Sequence, residues 1–167
     1  MKHFKRASLI LAIVVLGACS QNGVGGIGGG LNGSGAAAAQ GDPSNPASPA
    51  YFQQSIGDRV FFAVDQSAVD ASAQAELNAQ ADWLIANPDY KVIIEGHADE
   101  RGTRDYNLAL GARRAGSVRE YLTLRGVSAD RIQTVSYGKE RPSELCSAES
   151  CYAMNRRGVT VLSNLSF

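Results

Sequence analysis

Residues 20–50 consist mainly of glycine, alanine, serine, proline and asparagine, with a single charge at Asp42 and almost no bulky apolar side chain. A stretch of that composition cannot bury enough surface to offset the entropy of ordering it. It predicts a flexible tether over residues 19–50, with a root-mean-square reach of about 30 Å and a fully stretched reach of roughly 100 Å. The folded part of the chain is therefore expected after it, over residues 51–167, a length that suits one domain with its own core. Gly23-Val-Gly-Gly-Ile-Gly28 satisfies the G-x-G-x-x-G pattern of dinucleotide sites. No strand pattern precedes it and no helix pattern follows, so it is set aside.

Ahead of the tether, Lys2, Lys5 and Arg6 precede an apolar run over residues 7–16, the basic and hydrophobic parts of an export signal. The run is too short for a spanning helix, which needs roughly 20 apolar residues, and it gives way at once to Ser20-Gln21-Asn22. Leu16-Gly17-Ala18-Cys19 resembles the bacterial lipobox, whose cysteine is acylated before the signal is cut. The resemblance implies a signal peptide over residues 1–18 and Cys19 as the lipidated first residue of the mature chain. The other reading is an ordinary signal peptide that contains a cysteine. Ser20 in place of aspartate at the second mature position implies the outer membrane, with the domain facing the periplasm.

With Cys19 assigned to lipid, Cys146 and Cys151 remain as an even pair in an exported, disulfide-permissive compartment. A bridge between them would close a very small loop worth about 2 kcal/mol. Metal binding is the competing use of Cys-x4-Cys, but it needs further ligands, and the histidines are His3, lost with the signal, and His97. The pair is remote in sequence from the candidate site described next, so its loss is expected to leave that site intact. Once Lys2, Lys5 and Arg6 leave with the signal, 13 basic residues face 16 acidic ones, a net charge that argues against nucleic-acid binding.

Strand and helix patterns alternate after Tyr51. Arg59-Val-Phe-Phe-Ala-Val64 is β-rich, and Asp70 can cap a helix with Ala73, Leu77, Ala81 and Leu84 on one side, stopped by Asn87-Pro88. Lys91-Val-Ile-Ile-Glu95 is the next strand, and a loop over residues 96–104 leads into a longer helix. There Leu108, Ala115, Val118 and Leu122 share a face, and Gly126 supplies the stop. Residues 132–137 and 159–165 read as further strands. This βαβαβ-β order predicts an α/β domain (α+β sandwich), two-layer, with helices on one mixed sheet.

Asp99 falls just past the carboxyl end of a strand, and Arg113 and Arg114 about two turns into the following helix. A carboxylate and a guanidinium facing one crevice suit a zwitterion: Asp99 accepts from an ammonium, and an arginine fork takes a carboxylate bidentately. Amides near the helix start, around Thr103 and Asp105, add donors for an anion.

Gly96-His-Ala-Asp-Glu-Arg-Gly-Thr103, Tyr106-Asn107, Leu110-Gly-Ala-Arg-Arg-Ala115, Val118, Tyr121-Leu122, Ser136-Tyr-Gly-Lys139 and Asn155-Arg-Arg157 resemble the OmpA-like peptidoglycan-binding family, and more narrowly its lipoprotein branch in the Tol system. The resemblance implies that the domain binds the free amino-acid end of meso-diaminopimelate in the peptide stem of peptidoglycan. Asp99 and Arg114 would be the principal contacts, with Phe62 and Leu110 walling the pocket. It also implies partnership with the TolB propeller and other Tol proteins, and no cofactor. Two departures stand out: Ala63 replaces the family's usual aspartate and Val64 its second aromatic residue, and the Cys146/Cys151 pair is not needed in relatives. If position 63 contributes only backbone, binding survives; if its side chain matters, affinity falls.

Plainer roles compete. Asp99 can simply cap the turn before the helix, Asp65 can form a turn as well as support a pocket, and Arg113 suits a solvated helix face. His97 fits a loop hydrogen bond, and Arg156 and Arg157 fit structural salt bridges. An enzyme reading, a wall hydrolase, finds no H-E-x-x-H, no G-x-S-x-G and no cysteine without a better assignment. An OmpA-type wall anchor working without the Tol machine shares the same pocket motif.

Overall fold

The structure is a computed structural model, and it describes residues 41–163. The expected signal peptide, Cys19 and most of the expected tether lie outside the described residues. Within them, four strands form one mixed sheet and four helices accompany it. In chain order these are α1 (Pro49–Tyr51), β1 (Arg59–Phe61), α2 (Ala71–Ala86), β2 (Lys91–His97), α3 (Arg104–Leu124), β3 (Ile132–Gly138), α4 (Glu149–Asn155) and β4 (Arg157–Ser163). The sheet order is β1-β4-β2-β3. β2 and β3 run parallel, with Val92 opposite Ile132, which requires a crossover, here α3. β4 is antiparallel to both β1 and β2.

The helix signals hold where they are local. Asp70 caps α2 by accepting from the Ala73 amide, and Asn87 ends it. Ala73, Leu77, Ala81 and Leu84 are buried against Val60, Phe62, Val92 and Ile94 of the sheet side. Thr103 caps α3, and Gly126 follows it at φ 106°, a conformation a β-carbon disfavours.

The seat of α3 on the sheet depends on two glycines. A β-carbon on Gly96 would lie 1.8 Å from the Gly111 carbonyl oxygen, and one on Gly111 would lie 2.7 Å from that of Gly96. The helix backbone therefore rests directly on β2. This close approach also explains why Leu108, expected on the buried face, is 39% exposed. At its level the helix meets the end of β3 through backbone, since a β-carbon on Gly138 would lie 2.9 Å from the Leu108 amide nitrogen. Leu110 turns inward instead, at 4% exposure.

Three further differences from the sequence reading have physical causes. The first strand ends at Phe61 rather than Val64, because the chain turns there: Gln66 N–H donates to the Ala63 carbonyl and Asp65 adopts φ 59°. The expected βαβαβ-β order lacks α4, a helix whose start carries no side-chain cap, so no local signal announces it. The last strand begins at Arg157 rather than Val159.

Packing also begins before Tyr51. The Trp83 indole N–H, within the core, donates to the Pro46 carbonyl at 2.7 Å, and the Tyr90 hydroxyl to that of Ala47 at 3.1 Å. Buried aromatic donors need such acceptors, and they draw residues 46–50 onto α2, where Phe52 packs 4.8 Å from the Trp83 ring.

Candidate functional site

A cleft of about 280 Å³ opens where the end of β2, the turn after β1 and the first turns of α3 converge. Of the residues singled out from the sequence, Asp65, Asp99, Leu110 and Arg114 line it together. Phe62 stands behind the wall, its ring centroid 5.2 Å from the Arg114 guanidinium carbon. Thr103 is not part of the lining; its hydroxyl accepts from the Tyr106 amide at the start of α3.

Arg114 is fully buried. Its Nε donates to the Gln66 carbonyl at 2.8 Å, Nη1 to that of His97 at 2.7 Å and Nη2 to that of Ala63 at 3.2 Å. One side chain thus ties the turn after β1 and the end of β2 to α3. Three of the five guanidinium N–H donors are used in this way, which leaves two for a ligand. Position 63 serves Arg114 through its backbone, so alanine there preserves this anchor. Burial, with Arg156 nearby, pulls the Arg114 pKa down to about 10, partly opposed by Asp99 and Asp65. The group stays cationic at neutral pH.

Asp99 is 8% exposed. Its Oδ1 accepts from the Arg101 amide at 3.1 Å and from Arg101 Nε at 3.3 Å, and its Oδ2 from Arg101 Nη2 at 2.6 Å and Arg156 Nη1 at 3.2 Å. Burial disfavours its charge, but the hydrogen bonds from Arg101 and Arg156 outweigh burial and hold the carboxyl below its ordinary range. An ionised carboxylate offers about four lone-pair positions, and four donors fill them here. A ligand ammonium reaches Asp99 only by displacing one. Arg101 is the donor that can yield, since its side chain is 45% exposed against 6% for Arg156 and Glu149 and Tyr152 give it partners outside the cleft.

Sequence reasoning missed several contributors. Arg101, Tyr106 and Asn107 line the cleft and all fall inside the motif segment after β2, so their spacing from Asp99 was the available signal. Asn107 is buried and donates to the Arg101 carbonyl at 2.7 Å, which shapes the loop. The Tyr106 hydroxyl donates to Asp65 at the cleft mouth. Arg156 does form salt bridges, as its sequence reading has it, to Asp99 and Glu149, but it also lines the cleft. It lies 57 residues from Asp99, and no local pattern connects them. The lining carries three cations (Arg101, Arg114, Arg156) and two carboxylates (Asp65, Asp99), a balance that favours a ligand with a carboxylate while keeping a place for an ammonium.

Cys146 and Cys151 are joined by a disulfide. The expectation that this bridge is remote from the cleft is corrected by the structure. Ser147, Glu149 and Tyr152 contact the cleft loop through Glu100 and Arg101, because the chain returns to β4 alongside β2. Among the described residues no cluster of histidine, cysteine and carboxylates suited to a metal occurs.

Known proteins resemble this chain in sequence and fold. The chain is 57% identical over 111 residues to the peptidoglycan-associated lipoprotein of Rhizobium meliloti (strain 1021), covering 66% of this chain and 63% of that protein. It is 55% identical over 111 residues to that of Brucella suis biovar 1 (strain 1330), covering 66% of each. The chain thus spans a little under two thirds of these relatives. The crystal structure of the peptidoglycan-associated lipoprotein from Burkholderia pseudomallei superposes with a TM-score of 0.64 at 40% identity, covering 73% of this chain and 100% of that one. The C-terminal domain of Helicobacter pylori MotB shares the fold alone, at TM-score 0.60 and 19% identity. The model of the OmpA family matches residues 61–156, over half of the chain and every element that builds the cleft, and the chain belongs to the OmpA family.

Proposed function

We propose that this chain is an outer-membrane lipoprotein, anchored through Cys19, that holds peptidoglycan noncovalently in the cleft between Asp99 and Arg114. The observation that carries the reading is the pairing within one cleft of a charged carboxylate and a buried guanidinium with two donors to spare. The ligand class that fits is a free amino-acid end. Its carboxylate takes the remaining Arg114 donors, and its ammonium takes a place on Asp99 when Arg101 swings outward. Meso-diaminopimelate in the peptide stem presents such a group, and the names of the relatives point to the same polymer. The cleft acts as a binding site rather than a catalytic one. By family resemblance the domain exchanges between the wall and the TolB propeller of the Tol system, and the tether gives it the reach to do so.

The test is a sacculus pull-down with wild-type chain and Asp99→Asn. Loss of one hydrogen-bonded charge contact, about 1.5 to 3 kcal/mol, weakens binding about tenfold to more than a hundredfold. Stems carrying lysine in place of diaminopimelate lack the side-chain carboxylate and bind poorly even to wild type. Equal binding of both stem types refutes recognition of a free amino-acid end.

A further inference from the structure

Residues 141–150 are exposed throughout, Leu145 at 88%, so no apolar burial holds the segment that leads into α4. The helix itself is seven residues long, and its start has no side-chain cap; a helix so short is marginal by itself. Yet this segment carries the groups that touch the cleft loop. The Ser147 hydroxyl and the Tyr152 hydroxyl both donate to Glu100 Oε1, at 3.0 and 2.8 Å. The Arg101 guanidinium lies 4.6 Å from the centroid of the Tyr152 ring. Glu149 pairs with Arg101 Nη1 at 3.5 Å and with Arg156 Nη2 at 2.7 Å. Arg101 and Arg156 are the two side chains that hold Asp99.

We infer that the segment closed by the Cys146–Cys151 bridge is a positioning element for the cleft, with Ser147, Glu149 and Tyr152 holding the loop of residues 99–102 and thereby the place at which Asp99 presents its carboxylate. The bridge runs from a residue ahead of α4 to one inside it, with Cα atoms 5.8 Å apart, and so fixes the start of a helix that lacks a cap. Ser147 and Glu149 lie between the two cysteines, and Tyr152 follows the second. Opening the bridge loosens all three together, since the remaining tie, buried Asn155 bonded to the backbone of Ser143 and Glu144, holds only the base of the segment; none of the three lines the cleft. The consequence for affinity rests on the wall-binding reading above; the hold on the loop does not.

Two readouts test this on the full-length chain in detergent. The first is the titration of Tyr152, followed by NMR of chain labelled at the tyrosine ring Cζ carbon and assigned with Tyr152→Phe. The hydrogen bond to Glu100 raises this phenol above its ordinary range, so its titration reports the latch directly when read over the pH range in which the chain keeps its native amide spectrum. The second is sacculus binding. Both are compared among the oxidised chain, the chain reduced by a dithiol and the Cys146→Ser/Cys151→Ser chain. Each dithiol gives two electrons and two protons to the bridge, leaving two cysteine thiols and the cyclic disulfide of the reagent. Glu100→Ala, which removes the acceptor of the latch and leaves the bridge in place, is measured for binding.

The expected result is a Tyr152 titration that falls toward the ordinary phenol range when the bridge is opened. Sacculus binding weakens about threefold to tenfold, the scale of one net hydrogen bond, and Glu100→Ala shows a similar loss. A Tyr152 titration unchanged by opening the bridge overturns the inference, as does a shifted titration with undiminished binding. If the oxidised wild-type chain fails to bind sacculi, the wall-binding reading is refuted instead, and the Tyr152 titration still decides whether the bridge holds the loop.

Discussion

Arg114→Lys separates the structural task of this side chain from its proposed hold on the ligand. The guanidinium gives one donor each to the carbonyls of Gln66, His97 and Ala63 and keeps two of its five for a ligand. A lysine has three donors on a single nitrogen, and the three acceptors belong to separate points of the chain. The ammonium cannot reach all of them, so at least one carbonyl loses a charged donor, a cost of about 1 to 3 kcal/mol in stability. Whatever donors it does place on the backbone are then missing for the ligand, and no planar fork remains to take a carboxylate bidentately. Burial and the nearby Arg156, which depress the pKa of Arg114, also push a lysine toward its neutral form. Losing one charged hydrogen bond to the ligand already costs about 1.5 to 3 kcal/mol, so the dissociation constant is expected to rise at least about tenfold. Urea unfolding gives the first quantity. Calorimetry with a diaminopimelate-containing stem peptide, at denaturant-free conditions where the variant is folded, gives the second. Wild-type affinity in a chain that shows the full stability loss would refute the assignment of the spare donors to the ligand.

Gly96→Ala forces a β-carbon to within 1.8 Å of the Gly111 carbonyl oxygen, and lifting α3 from the sheet should cost about 3 kcal/mol; an unchanged urea midpoint contradicts the close-approach account. His97 is buried, and burial, followed by the charges of Arg157 and Arg141, lowers its pKa to about 4, against the pull of Glu95, whose carboxylate lies 3.3 Å from the ring Nε2. Between about pH 6.5 and pH 4 the unfolded state therefore binds a proton that the folded state does not, so stability falls with acid by about 3 kcal/mol. His97→Gln should flatten that part of the pH dependence, and a parallel profile for both chains would show that His97 is not its source. Cys19→Ala should leave the chain without lipid, released in soluble form or retained with its signal uncut, because acyl chains supply about 0.8 kcal/mol per buried CH2; wild-type fractionation of this variant would overturn the lipobox reading.

The features legible in the sequence are those whose physics is local. Asp70 announces its helix because a cap acts within one turn, and Gly126 ends α3 because its positive φ is a property of one residue. The apolar spacing of Leu77, Ala81 and Leu84 needs only a helix to become a buried face. Asp99 and Arg114 were legible as a pair because both belong to a single strand-loop-helix unit, β2 and α3. What the tertiary structure alone decided is who stands opposite them. β4 inserts between β1 and β2, and that order brings Arg156 and the bridged segment onto Asp99 and its loop from more than forty residues away in sequence. It also places the β1 turn where Ala63 and Gln66 offer carbonyls to Arg114. Such contacts leave no periodicity or spacing to read, because a hydrogen bond between distant residues depends on strand order and register, which the whole core determines.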